Sequence, residues 1–473
     1  MSKKEQPIIV GLDIGTTKVA AIAGRKNEFG KLEILGFGLA DSAGVSHGVV
    51  LNIEQCIRSI ELAISNLLKS NPNLEIKEVY VGIAGKHIKS LQQRGDRVRT
   101  NSESEISKED IELLIKDQQQ TYIPAGDKII DIIPQDYTID STSGIVDPIG
   151  MSGVKIGANF HIVTADRNAI KNIVRCVEKS NLKTRDLVLQ PLASASAVIN
   201  NEDLEAGVAI VDIGGGTTDM AVFYDGILKH THVIPFGGTN ITEDIKMGLG
   251  VLRAQAEQMK VNYGTAIATE ANPNAYITIP GLRGLPNKEI SVTNLSHIIE
   301  ARMVEILEHV LHQLQQVGLD KQLYGGIILT GGGARLKNLK QLTEYITGLG
   351  TRVGLPNEHL AAGVHSEALM NPMYSTCIGL ILRGYYDYEN GNVRLMGDSL
   401  NGEKPKAGEV IVDQAIDAET ETTGEFDVEP EMQKGVTNGR THKPIHDMLK
   451  KIKMGFMDLF EEIEDKDLNH LKN

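Results

Sequence analysis

The chain has 473 residues, 41% of them apolar and only 4% aromatic, with no tryptophan and a formal net charge of -14. That length allows about three domains whose cores are packed mainly by Ile, Leu, Val and Ala, and an acidic balance without a long basic stripe argues against nucleic acid as a partner. Cys56, Cys176 and Cys377 lie singly in apolar patterns, with neither metal-ligand spacing nor an even disulfide framework, as suits buried thiols in a reducing compartment.

The apolar run before Asp13 is too short for a leader's hydrophobic region or a membrane span, so a cytosolic protein is expected. Strands are expected at 8–12, 18–25 and 33–37. The first ends in Asp13, and Gly15-Thr16-Thr17-Lys18 turns the chain into the second. Glycines let a turn bring backbone N–H groups onto phosphate oxygens, Thr hydroxyls add donors, and the Asp can hold a hydrated Mg²⁺. One such hairpin is usually only a turn. A helix at 53–69, with Ile57, Ile60, Leu62, Ile64, Leu67 and Leu68 as its apolar face, and a strand at 79–84 continue the first lobe. The pattern then changes, with an amphipathic segment at 107–119 and short strands such as 128–133, and reads as an inserted subdomain over 85–165. Helical periodicity at 167–179 resumes the first lobe, which comprises 1–84 and 166–198. Its last part, 189–197, is a helix of small residues.

The second lobe, 199–388, repeats the first motif: an apolar strand ends in Asp212, and Gly214-Gly215-Gly216-Thr217-Thr218 follows. Two copies imply one ligand held between two halves. Helices are expected at 239–249, 252–262 and 294–317, within an insertion spanning about 236–322. The apolar stripe Ile299, Met303, Ile306, Val310, Leu314 and Val317 of the third is core. His230, His232, His297, His309 and His312 have no zinc-site spacing and read as solvated or singly hydrogen-bonded. A buried strand then runs into Gly331-Gly332-Gly333-Ala334-Arg335, a loop opening a helix and bringing bare backbone against a base or ribose; no Gly-Lys-Ser/Thr follows, so it is not a Walker loop. A second small-residue helix is expected at 372–380. Residues 389–443, rich in Asp, Glu, Thr, Gly and Lys, read as a disordered linker reaching about 40 Å. Over 444–464 helical periodicity returns, with Ile445, Met448, Leu449, Ile452, Phe456, Leu459 and Phe460 on one face and Lys450, Lys451 and Lys453 beside it. This reads as a membrane-surface anchor; the alternatives are a helix that docks back on its own domain or enters a partner's groove.

The order and spacing of the two hairpins, the glycine loop and the two small-residue helices resemble the actin-like ATPase superfamily. Within it the wording is most similar to the FtsA family of bacterial cell-division proteins, over about residues 7–388. The resemblance implies an α/β fold of two related lobes, each with an inserted subdomain, followed by the linker and the amphipathic helix. It implies ATP and Mg²⁺ as cofactors, with Gly15, Thr16, Thr17, Lys18, Gly214, Gly215, Gly216, Thr217 and Thr218 on the phosphates and Asp13 and Asp212 on the Mg²⁺ water shell. Gly238, Thr239, Asn240, Glu257 and Lys260 would lie near ribose and base, with Gly331, Gly332, Gly333 and Arg335 framing the adenosine. Gln190 would position the attacking water; an amide cannot take its proton, so hydrolysis is at most slow. The resemblance further implies self-association into filaments, binding of the C-terminal peptide of FtsZ, other division partners, and attachment to an anionic membrane at the cytoplasmic face of the division site. The acidic run from Glu461 departs from the family pattern. The alternatives are a pilus-assembly protein like PilM, which resembles FtsA over the nucleotide core, and a DnaK-like chaperone ATPase, which would need a β-rich domain after the core.

Overall fold

A computed structural model describes residues 6–101, 103–281, 286–363 and 365–389. The expected linker and amphipathic helix lie outside the described residues. Among the described residues no helix is long and apolar enough to cross a membrane.

Two five-stranded sheets form the framework, and they have the same order. In the first, Leu32–Asp41, Lys18–Lys26 and Ile9–Ile14 run antiparallel, and Glu78–Ile83 and Lys183–Leu189 continue parallel to the last of these. In the second, Ile227–Ile234, Thr218–Tyr224 and Val208–Ile213 are antiparallel, followed in parallel by Gly326–Thr330 and Thr351–Val353. The central strands Ile9–Ile14 and Val208–Ile213 are buried at every position, as expected of near-continuous apolar runs covered on both faces.

Each sheet has a private core and a shared one. The first packs Val10, Leu12, Val19 and Ala21 against the helices Ile53–Ser70 and Arg167–Lys179. The helix Ile53–Ser70 starts where the Asn52 side chain accepts from the Gln55 N–H, and it buries Cys56, Ile57, Ile60, Ala63 and Leu67. Leu62, expected on that face, is instead 49% exposed, because it falls a third of a turn out of phase. The thiols of Cys56 and Cys176 meet across these two helices, so they are a contacting pair and not the isolated cysteines expected. The second sheet packs against Gly238–Leu249, Arg253–Tyr263 and Val292–Gln316, the last burying Ile299, Met303, Ile306, Val310 and Leu314.

The shared core lies between the sheets. Ile9, Ala20 and Ile22 from one and Val208, Ile210 and Ala221 from the other close on two helices, Gln190–Val198 and Ser375–Glu389. These cross backbone to backbone: a Cβ on Gly379 would stand 1.7 Å from the Ala193 carbonyl oxygen, and one on Gly11 would stand 2.5 Å from that of Cys377. A separate four-stranded sheet, ordered Ile88–Val98, Lys155–Asp166, Asp127–Ile139 and Thr142–Ile145, carries the helix Lys108–Gln118 and its own core around Phe160, Ile132 and Leu114. Ser107 and Asp110 cap that helix reciprocally. The strand expected at 128–133 extends to Ile139, bulging where it meets Lys155–Asp166.

The crossing generates a prediction. Gly379→Ala leaves the helix intact by propensity but forces the two helices apart, and overpacking of this kind costs about 1–3 kcal/mol. Thermal unfolding should show a clearly lowered Tm, whereas Gly350→Ala, at a position with open space, should change it little.

Candidate functional site

The two hairpins are built alike. Asp13 lies opposite Ala20 and Asp212 opposite Asp219 in the two ladders. Each turn is closed by the same bond, Gly15 N–H to the Lys18 carbonyl at 3.0 Å and Gly214 N–H to the Thr217 carbonyl at 2.9 Å. The turns face one another so closely that a Cβ on Gly215 would lie 2.5 Å from Thr17 Cγ2, and one on Gly216 2.5 Å from Thr16 Oγ1. Only bare backbone can stand there.

Between them is a cavity of about 120 Å³, lined by Asp13, Gly15, Thr16, Thr17, Lys18, Gln190, Asp212, Gly214, Gly215, Gly216, Thr217, Gly331 and Gly332 among the anticipated residues. Thr218 is turned away, its hydroxyl donating to the Phe236 carbonyl at 2.9 Å. Gly238 and Thr239 reach the second turn from behind, through N–H bonds to the carbonyls of Gly214 and Gly215 at 3.0 and 2.7 Å. The Asn240 side chain accepts from the Gly237 N–H at 3.0 Å and so caps its own helix. Lys260 Nζ donates to the Gly238 carbonyl, Thr242 Oγ1 and Glu257 Oε2 at 2.8 to 2.9 Å. These groups, with Gly333 and Arg335, do not line the cavity itself. The volume is below the roughly 300 Å³ of an ordinary small-molecule pocket.

The glycine loop differs locally from expectation. Gly331, at φ +82°, turns the chain beneath Asp212, and a short 3-10 turn, Gly332–Arg335, follows; the α-helix begins only at Leu339. A Cβ on Gly331 would sit 2.2 Å from Asp212 Oδ1, and one on Gly333 2.3 Å from Ile213 Cγ2, which holds the loop too tightly wound for an α-helical start.

The polar shell joins both crossing helices to the carboxylates. Gln190, the first residue of one, donates from Nε2 to Asp13 Oδ1 at 2.8 Å. Asp212 Oδ2 accepts from Ser194 Oγ at 2.6 Å and from Thr376 Oγ1 at 3.1 Å. Lys18 donates to the Met373 carbonyl and lies 4.5 Å from the centre of the Tyr374 ring. Burial sets the charge states. It pushes Asp13 up to about 6, against the opposing effect of Lys18, and raises Asp212 against its two hydroxyl donors. Burial also pulls the Lys18 ammonium below its ordinary value.

Sequence reasoning missed Asp219, Ser194, Thr376 and Met373. Asp219 is the most informative: burial, with the Asp212 charge beside it, raises it to about 8, and while Oδ2 accepts from Thr217 Oγ1 at 2.8 Å, Oδ1 is buried with no partner. Its signal was a carboxylate in the returning strand of the second motif, since Asp219 stands where the first hairpin has Ala20. An orphaned carboxylate oxygen, two further carboxylates and a glycine cradle form a donor set that fits a hydrated divalent cation carrying phosphate.

Two sheets of one topology, hinged on two crossing helices with a paired-hairpin cleft between them, define the actin-like ATPase fold. The solved PilM–PilN type IV pilus biogenesis complex shares this fold at a TM-score of 0.59 and 16% identity, over 80% of this chain and 98% of that one. MreB 5 of Spiroplasma citri, solved bound to AMPPNP, does so at 0.51 and 14%, over 82% and 99%. A family model of cell division protein FtsA matches residues 209–379, and a model of the SHS2 domain inserted in FtsA matches residues 85–164. The chain is 37% identical to cell division protein FtsA of Pseudomonas aeruginosa over 401 residues, covering 85% of this chain and 95% of that one. It is 33% identical to FtsA of Escherichia coli over 398 residues, covering 83% and 93%. The chain belongs to the FtsA family of cell division proteins.

Asp219 yields a test by pH. An unfolded aspartate ionises near 3.8, while the folded protein keeps this proton to about 8. The folded state therefore binds more protons across that window, and its stability from this group is lost as pH rises through it. Asp219→Asn keeps an acceptor for Thr217 without ionising. Denaturant unfolding between pH 5 and 8, without divalent cations, should show a shallower loss of stability with pH in the variant than in the wild type.

Proposed function

We propose that the protein binds Mg·ATP in the cleft between its lobes, hydrolyses it slowly, assembles head to tail at the cytoplasmic face of the membrane, and tethers FtsZ filaments there. The observation that carries the nucleotide reading is the buried carboxylate set Asp13, Asp212 and Asp219 facing the two glycine turns. Three carboxylates held above their ordinary values by burial are a standing cost that a bound cation relieves. Mg²⁺ would supply neutralisation of phosphate charge. Asp13 and Asp212 would hold its water shell, Lys18, Thr16, Thr17 and Thr217 would contact phosphate oxygens, and Gln190 would orient water without accepting its proton. Ribose and base would fall to Glu257, Lys260 and the Gly331–Arg335 turn.

The cellular part rests on family membership and on the sequence of the last segment. Head-to-tail contacts that do not close generate filaments. One short amphipathic helix binds lipid weakly, and the acids from Glu461 offset its lysines. Assembly would multiply such anchors and raise their effective concentration, so attachment would follow the polymer.

Calorimetry with Mg²⁺ tests the cleft. Asp212→Ala should weaken ATP binding by roughly 10–100-fold or more, whereas Gln190→Ala should keep binding and lower the hydrolysis rate by roughly 10²-fold. Absence of ATP binding by the wild type would remove the proposal. Phe456→Glu places a charge on the apolar face of the terminal segment. It should sharply reduce sedimentation with anionic liposomes and abolish recruitment of FtsZ to vesicles, while ATP binding stays unchanged; unaltered sedimentation would assign that segment to a protein partner.

A further inference from the structure

The inserted subdomain leaves and rejoins the chain in the first lobe, yet it lies against Ile227–Ile234, the outer strand of the second sheet. Three of its side chains reach backbone carbonyls there: Ser90 Oγ to Thr231 at 3.3 Å, Gln92 Nε2 to Lys229 at 3.2 Å, and Gln135 Nε2 to Leu228 at 2.5 Å. At the centre is His161, 1% exposed, with Nε2 2.7 Å from Thr231 Oγ1 and Nδ1 3.1 Å from Gln92 Nε2.

This geometry accepts one protonation state. The Gln92 amide nitrogen can only donate, so Nδ1 must be the acceptor and Nε2 carries the hydrogen to Thr231. A second proton on Nδ1 would point at an N–H donor. Turning the Gln92 amide over to offer its oxygen would break the bond to the Lys229 carbonyl. The surroundings offer no relief. His230 beside it pairs through Nε2 with Gln313 Oε1 at 3.0 Å and stacks on His232 with ring centres 6.0 Å apart. His230, with His309 and His312 from the helix Val292–Gln316, disfavours a proton on His232. Arg302 stands 5.6 Å from the Phe236 ring centre, and that ring packs on His309. The carboxylates at that side, Asp244 and Glu305, are engaged by Arg302. Burial and the His230 imidazole lower His161 to about 4.

We propose that this histidine seam is a proton-sensitive clasp, in which neutral imidazoles hold the inserted subdomain on the second lobe and proton uptake releases it. Because the subdomain is covalently tied to the first lobe, the clasp restrains movement of one lobe against the other. It does not depend on what the cleft binds.

The sign follows from linkage. Released, His161 returns to an ordinary value near 6.5; docked, it stays neutral to about 4. Docking is therefore full above pH 6.5 and weakens as pH falls, by roughly thirtyfold at pH 5. Hydrogen–deuterium exchange at pH 8 and pH 5, corrected for intrinsic rates, reads this in the strands Ile88–Val98 and Ile227–Ile234. The wild type should show a rise of about that size in both strands, with Val208–Ile213 unaffected. His161→Gln, whose amide can donate to Thr231 and accept from Gln92 at either pH, should show a rise of less than about fivefold. A flat wild-type response, or a variant as steep as the wild type, would overturn the clasp. Should the variant fail to fold, imidazole titration by NMR decides: a wild-type His161 titrating below pH 5 supports the clasp, and one titrating near 6.5 overturns it.

Discussion

Everything at the centre of this molecule depends on two helices crossing at the distance of bare backbone. Gly379 against Ala193 removes the side-chain layer that usually separates helices by 8 to 10 Å. The gain is positional. The first turn of each helix is brought to the cleft, so that Gln190 meets Asp13 while Ser194 and Thr376 share Asp212. The same helix start ties the lobes: Cys377 Sγ lies 3.2 Å from the Gly11 carbonyl in the first sheet, and Ser375 Oγ 2.8 Å from Thr330 Oγ1 in the second. A rotation of one lobe against the other would strain these contacts.

The cleft stores electrostatic cost at the same place. Asp13, Asp212 and Asp219 are each less than 8% exposed, with the partly buried Lys18 ammonium acting on the first two. Such an arrangement is unfavourable in isolation, and a ligand bringing positive charge recovers the desolvation already spent. The carboxylates and the crossing helices therefore share a single set of hydrogen bonds.

The inserted subdomain adds a second connection between the lobes, of a different kind. The helix crossing is packed at bare-backbone distance; the seam at Ile227–Ile234 is made largely of side chains bonded to carbonyls around a buried imidazole. Polar seams hold well only while every partner is satisfied, and a second proton on His161 would take one such partner away.

The sequence by itself determined the architecture and most of the candidate site. The repeated Asp-x-Gly hairpin announced two equivalent halves, apolar runs marked the central strands, and the three-to-four periodicity of 294–317 and 167–179 marked helices that the structure contains as Val292–Gln316 and Arg167–Lys179. These signals are local, because a turn or an amphipathic face is written in consecutive residues. What only the tertiary structure decided lies between distant segments. The partnerless oxygen of Asp219, the meeting of Cys56 with Cys176 and the gathering of His161, His230 and His232 depend on how elements pack after they form. Side-chain burial and the direction of a pKa shift are properties of the surroundings, and those surroundings come from residues tens to hundreds of positions away.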